Sequence, residues 1–303
     1  MTSGFRAESV HVRVPATSAN LGPGFDALGL ALSLHDEIVV RVTDGGLAIR
    51  VTGEGEDEVP LTEEHLLVRA MRALFAAVGE QPPGLRIGCL NRIPHARGLG
   101  SSAATIVAGM VAARALLNKS ELTDADLLAL ATTMEGHPDN VAACLYGGLT
   151  IAWTDEGTGR AVRIVPHDDV RPVAFVPPTR SSTAEARKLM PAVVPLGDAA
   201  DNAGRSALLV HALSSDPSVL FPATVDHLHQ PYRAAAMPES AALVGTLRDA
   251  GIPAVISGAG GTVLAFVPPA GDDGVWERFA GESFRVHRLT VDTDGATAAV
   301  VGS

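Results

Sequence analysis

The chain has little lysine, little cysteine, no excess of positive charge and no long apolar run. Of its 23 lysines and arginines only Lys119 and Lys188 are lysine. Any clamp for a carboxylate or phosphate is therefore built from arginine, whose planar fork binds such groups at two points. The net charge of −11 argues against nucleic acid or an anionic membrane as the main partner. It leaves room for a small anion held by a local arginine or helix terminus. The two cysteines, Cys89 and Cys144, sit in apolar surroundings and read as buried free thiols, not as a disulfide framework. No uninterrupted apolar run reaches the roughly 18 residues of a membrane span. The opening "MTSGFRAESVHVRV" has no secretory apolar core, so the expectation is a soluble, cytoplasmic protein.

Two phosphate-binding signatures are also missing. Neither lysine completes a G-x-x-x-x-G-K-[ST] loop, which excludes a P-loop nucleoside triphosphatase. The strand lysine, H-R-D and D-F-G set of protein kinases is absent. Gly98-x-Gly100-x-x-Ala103 formally fits a dinucleotide-binding fingerprint. That fingerprint needs a strand directly before it, and "NRIPHAR" intervenes with Pro94 in it. Histidines 227 and 229 have no third ligand at a metal-binding spacing. Ser257 lacks the elbow of a hydrolase nucleophile, and "GEGEDEVP" reads as a solvated loop.

What is present is a globular composition, with 47% hydrophobic and 19% charged residues in 303, enough for one large or two ordinary domains. Strands and helices are interspersed in both halves, which points to an α+β fold. A boundary falls near 165–170, giving domains 1–167 and 168–303. Residues 36–53 read as a hairpin turning at Gly45-Gly46. Residues 62–79 read as a helix capped by Thr62 and stopped by Gly79. Residues 123–135 read as a helix with Thr123 and Asp126 forming a capping box. Pro138 suits the first position of a short helix capped by His137 or Gly136.

The stretch "IPHARGLGSSAATIVAGM" puts flexible and hydroxylated residues where a helix begins. One reading is a turn and a cap. The other is a phosphate site, because glycines admit close approach and the first amides of a helix carry partial positive charge. Ser101 and Ser102 add hydroxyls that can also ligate Mg²⁺. Glu135 ends the 123–135 helix, where an acid is electrostatically disfavoured, and this favours a functional reason for it.

Pro94 to Ala104 resembles, at every specified position, the P-x-x-x-G-L-G-S-S-A-A nucleotide loop of the GHMP small-molecule kinases. "SGAGGTVLAF" (257–266) is similar to the glycine-rich C-terminal motif of that family, with Gly261 where proline is usual, which makes that turn more flexible. "VPATSANLGPGFDALGLAL" (14–32) resembles the N-terminal motif in the form found in its homoserine-phosphorylating branch. "EGHPDNVAACLYGG", "STAEARKLMP" and "DHLHQPYR" extend the likeness over nearly the whole chain. The resemblance implies an N-terminal domain like ribosomal protein S5 domain 2 and a ferredoxin-like C-terminal domain. It implies transfer of the γ-phosphoryl group of ATP to the hydroxyl of L-homoserine, on the route to threonine, by an enzyme that is often a homodimer.

By the same resemblance ATP lies over Pro94, His95, Ala96, Arg97, Gly98, Leu99, Gly100, Ser101, Ser102, Ala103 and Ala104. Mg²⁺ is held by Ser101 or Ser102 with Glu135. Arg187 and Arg233 grip the substrate carboxylate, Asp26 holds its ammonium with Asn20 nearby, and Asn140 orients its hydroxyl. Asp139 is a candidate base, although attack on a loose transition state needs little prior deprotonation. Two rivals remain open on sequence: a related kinase acting on mevalonate or a sugar, and a nucleotide-binding regulator without turnover.

Overall fold

The computed structural model describes residues 4–6, 8–267 and 274–301. In chain order its elements are β1 (Ser9–Ala19), β2 (Leu28–Thr43), β3 (Gly46–Gly53), α1 (Leu66–Ala77), β4 (Gly84–Asn91), α2 (Ser101–Leu116), α3 (Asp124–Glu135), α4 (Asp139–Tyr146), β5 (Leu149–Asp155), β6 (Thr158–Ile164), β7 (Arg171–Val176), α5 (Thr183–Lys188), α6 (Leu196–Ser214), α7 (Leu220–Ala223), α8 (Gln230–Arg233), α9 (Pro238–Asp249), β8 (Ala254–Ile256), β9 (Val263–Val267), α10 (Val275–Ala280), β10 (Arg285–Arg288) and β11 (Thr297–Val301).

Two sheets organise them. The first runs β11-β1-β2-β4-β3, with β5 and β6 continuing from the near end of β2, and the second runs β10-β7-β9-β8. The expected boundary lies in the connection between β6 and β7, where the chain passes from one sheet to the other. The last strand then returns, pairing antiparallel with β1 from Ser9↔Val301 to Arg13↔Thr297.

The hairpin expected over 36–53 does not form. β4 lies between β2 and β3, antiparallel to the first and parallel to the second, with α1 as part of the crossover. Gly84 makes the insertion possible: a Cβ there would stand 2.4 Å from the Gly45 carbonyl carbon. The Asp44–Gly46 turn thus admits the start of a third strand between its arms. The turn signal was local, and the partner that separates the arms lies some forty residues on.

α2 is apolar around most of its circumference, as a helix enclosed by others must be. It packs on β1 and touches α1, α3 and α4. Gly109 lets α1 come close, since a Cβ there would meet the Leu67 carbonyl oxygen at 2.6 Å. The second sheet is covered by α9 and α10, with Phe175, Leu247, Val263 and Trp276 among its buried residues.

Helix ends follow local chemistry with two corrections. α1 starts later than expected and is capped by His65, whose Nδ1 accepts from the Leu67 N–H at 3.2 Å. Thr62 instead closes a preceding turn by accepting from the His65 N–H. Pro138 is the cap residue of α4, one place before the position expected for it. The capping box of α3 forms as read: Thr123 accepts from the Asp126 N–H, and Asp126 accepts from the Thr123 N–H at 2.8 Å. Thr123→Ala is expected to lower stability by about 1 kcal/mol while leaving activity unchanged, as urea unfolding followed by circular dichroism would show.

Candidate active site

The loop from Pro94 to Gly100 joins β4 to α2 and is closed from the far side by the 257–262 turn. Gly98 (φ +80°) leaves no space for a side chain: a Cβ would lie 2.4 Å from the Ser257 carbonyl oxygen and 2.6 Å from that of Gly260. The Ser257 hydroxyl donates to the Gly98 carbonyl at 2.5 Å and lies 2.8 Å from Ser18 Oγ. The Thr262 N–H donates to the Arg97 carbonyl and the Ser181 N–H to that of Ala96. The Ser181 hydroxyl reaches the Gly260 carbonyl at 2.6 Å. Three sequence segments far apart in the chain are thereby joined at the start of one helix.

That start is prepared for an anion. Gly100 caps α2 in a left-handed conformation with no side-chain hydrogen bond, and no acid occupies the first turn. The first helical bond runs from Ala104 N–H to the Gly100 carbonyl. The preceding amides are the donors that a helix leaves unused, at its positive end.

Glu135 faces this point from the end of α3, where Gly136 turns the chain with φ +94°. The Ser102 hydroxyl donates to Glu135 Oε2 at 2.7 Å. Burial pushes the Glu135 pKa above the usual carboxylate range, against the opposing Ser102 bond and the nearby His137 charge. Asp139, fully enclosed at the start of α4, accepts at Oδ1 from His137 Nδ1 (2.9 Å) and the Asn140 N–H (2.7 Å). That bond to Asp139 is the main reason the His137 pKa is raised. Asn140 Oδ1 receives the Thr17 hydroxyl at 2.8 Å.

At the other end of the cleft, Arg187 forms a two-point ion pair with Asp26, at 3.0 and 2.9 Å. The two residues expected at opposite charges of the substrate, Arg187 and Asp26, therefore hold each other here. The Asp26 backbone is left-handed (φ 54°), as are Asn20 and Leu21. Asn20 holds this loop, accepting from the Asp26 N–H at 2.9 Å and donating to the Gly258 carbonyl at 2.7 Å. Arg233 is only 2% exposed. Its guanidinium stands over the Phe25 ring at 5.2 Å, touches His229 Nδ1 at 3.4 Å, and leaves Nε buried without a partner. Among the described residues no carboxylate pairs with it. Burial, with the neighbouring Arg187 charge, lowers its pKa.

One cleft is lined by Asn20, Asp26, the segment from Ala96 to Ser102, Glu135, Asp139, Asn140, Arg187 and Arg233. Four of the expected nucleotide-loop residues stand outside it. Pro94 lines a neighbouring hollow with Glu54 and Phe284. His95 packs beneath Gly55, and the side chains of Ala103 and Ala104 are in the core because the helix turns inward there. Arg97 spends its guanidinium on the carbonyls of His95, Pro177 and Pro178. His137, Ser181 and Thr183 line the cleft without having been read as site residues in the sequence; His137 and Thr183 lie inside the quoted motifs and Ser181 just before one. His227 pairs with Asp201, His229 donates to the Gly22 carbonyl, and both cysteines are buried and free. Among the described residues no three His, Cys, Asp or Glu side chains cluster to bind a metal by themselves, and no helix is long and apolar enough to cross a membrane.

Comparison with known proteins gives the family. Residues 65–148 match the GHMP kinases N terminal domain and 206–284 the GHMP kinases C terminal domain. The homoserine kinase of Streptomyces coelicolor is 59% identical over 97% of this chain and 95% of its own. That of Mycobacterium tuberculosis is 48% identical over 96% and 94%. The crystal structure of homoserine kinase from Cytophaga hutchinsonii superposes with a TM-score of 0.85 at 27% identity, covering 96% of this chain and 98% of that one. The chain belongs to the homoserine kinase family of GHMP kinases.

Proposed function

We propose that this cleft transfers the γ-phosphoryl group of ATP to the side-chain hydroxyl of L-homoserine, giving O-phospho-L-homoserine. The observation that carries the substrate half is Arg233: a buried guanidinium without a carboxylate partner is costly, and a bound carboxylate relieves that cost. Beside it, the Arg187–Asp26 pair is about 40% exposed on either side. Such pairs are worth only about 0.2–1 kcal/mol, whereas each charge-assisted hydrogen bond contributes about 1.5–3 kcal/mol. A zwitterion therefore opens the pair at small cost, its carboxylate going to Arg187 and Arg233 and its ammonium to Asp26. Asn20 holds Asp26 in place.

The triphosphate is assigned to the free amides at the start of α2. Ser101 or Ser102 and Glu135 fit Mg²⁺, being hard oxygen donors, with a half-buried carboxylate that accepts from the Ser102 hydroxyl. When bound, the ion neutralises charge on the phosphate oxygens. Asn140 orients the acceptor hydroxyl. With three donors on Asp139 Oδ1, its Oδ2 is the atom that would receive the hydroxyl proton. Mevalonate and sugars lack the carboxylate–ammonium pair that Arg233, Arg187 and Asp26 serve, and a regulator without turnover has no use for the Ser102–Glu135 contact. Residues 1–167 and 168–303 as two domains with β11 returning to the first, a homodimer, and a cytoplasmic location belong to the same proposal.

A coupled assay of ADP release with Mg²⁺-ATP tests the reading against L-homoserine, D-homoserine, mevalonate, galactose and L-threonine. Strong turnover is expected with L-homoserine alone. Turnover with mevalonate or galactose instead would discard the substrate half, and silence with every acceptor despite ATP binding would favour the regulator.

A further inference from the structure

Thr17 lies on β1, fully buried, at a strand position that valine would fill equally well by shape. Its polar atoms go to two different parts of the active site. Its N–H donates to the Leu99 carbonyl in the nucleotide loop at 3.0 Å. Its hydroxyl donates to Asn140 Oδ1 at 2.8 Å, across 123 residues of sequence. The contact is pressed against the start of α2, since a Cβ on Gly100 would stand 1.9 Å from Thr17 Oγ1 and 3.0 Å from Asn140 Oδ1.

The other end of the Asn140 amide is fixed independently. Nδ2 lies 3.4 Å from Asp139 Oδ1, and an ionised carboxylate only accepts, so nitrogen must face it. With Oδ1 engaged by Thr17 and the amide plane held at both ends, Asn140 meets the cleft in one fixed orientation, with one Nδ2 hydrogen and one Oδ1 lone pair left to use. We infer that Thr17 is a positioning residue for phosphoryl transfer: through Asn140 it fixes how the acceptor hydroxyl oxygen is held, and through Leu99 it ties that oxygen's position to the nucleotide loop. This rests on the reading that Asn140 contacts the acceptor hydroxyl.

Steady-state kinetics of the full chain test it, with Thr17→Val, Thr17→Ser, Thr17→Ala, Asn140→Ala and the double variant Thr17→Val/Asn140→Ala. Thr17→Val is expected to lower kcat roughly 10- to 100-fold, the scale of a small misplacement of reacting groups. Both KM values should stay within about threefold, and Thr17→Ser should recover most of the lost kcat. The double variant should be no slower than Asn140→Ala, because the hydroxyl acts through that amide. If Thr17→Val does not fold, the comparison is Thr17→Ser with Thr17→Ala: both lose the methyl group, only serine keeps the donor, and only alanine should lose kcat. Full kcat in Thr17→Val or Thr17→Ala, or losses that multiply in the double variant, overturns the role of Thr17. Full kcat in Asn140→Ala overturns the reading of Asn140 on which it stands.

Discussion

Replacing Arg233 by methionine is expected to raise the KM for L-homoserine by roughly 10²- to 10⁴-fold, and to leave the protein as stable as before or more so. The first effect follows from losing two charge-assisted hydrogen bonds to the substrate carboxylate, together about 3–6 kcal/mol. The second follows from burial. Arg233 is 2% exposed and leaves Nε unpartnered, so its desolvation is offset in the free enzyme by contact with the Phe25 ring and His229 and by the Asp26 and Asp226 charges, neither of which forms an ion pair with it. Methionine is apolar, of similar reach and adaptable in shape, and exchanging a buried charge for an apolar side chain is commonly neutral or stabilising. The two readouts thus separate, with KM from ADP release rising steeply while the urea midpoint holds or rises, which a merely structural arginine would not produce. An unchanged KM would remove Arg233 from the substrate site. A collapse in stability would show that the charge is compensated within the fold.

Gly98→Ala should be the most damaging single methyl group in the nucleotide loop. The left-handed backbone alone costs about 1–2 kcal/mol for any residue with a Cβ. Gly79→Ala supplies the control, being left-handed too (φ +74°) but with no atom within 4 Å of the added carbon. At Gly98 the carbon lands 2.4 and 2.6 Å from two carbonyl oxygens of the 257–262 turn, backbone atoms that cannot swing aside as a side chain can. Either the loop or the turn must move, and with it the amides aimed at the triphosphate. We expect kcat/KM for ATP to fall about 100-fold or more in Gly98→Ala, against an unchanged value in Gly79→Ala. Equal kinetics in the two variants would mean that the contact between the loop and the turn does not shape the nucleotide site.

The prominence of these contacts explains why some features were readable from residues in order and others were not. The capping box at Thr123 and Asp126, the end of α3 at Glu135-Gly136 and the glycine-rich entry to α2 are set by groups within a few positions of one another. Their energetics are local, so local spacing reveals them. Local spacing left the glycine-rich loop open between a capped turn and a phosphate site, and the roles proposed for it and for Glu135 came from the resemblance to the GHMP kinases.

Where distant segments meet, the same reasoning stopped. Nothing in "DEIVVRVTDGGLAIRVTG" signals that β4 will enter between its arms, because the choice between neighbouring strands depends on which later segment offers matching donors, acceptors and apolar faces. Likewise β11 pairs with β1 from nearly the opposite end of the chain. Arg187 and Asp26 were each singled out in the sequence, but nothing there showed that they pair with each other across 161 residues. Thr17 carried no signal at all, since a threonine in a strand is ordinary until Asn140 arrives beside its hydroxyl. Residue types and local backbone preferences thus announced what chemistry the chain can perform. The burial of Arg233, the pairing of Arg187 with Asp26 and the orientation of Asn140 arise from desolvation and long-range contact, which exist only once the chain has folded.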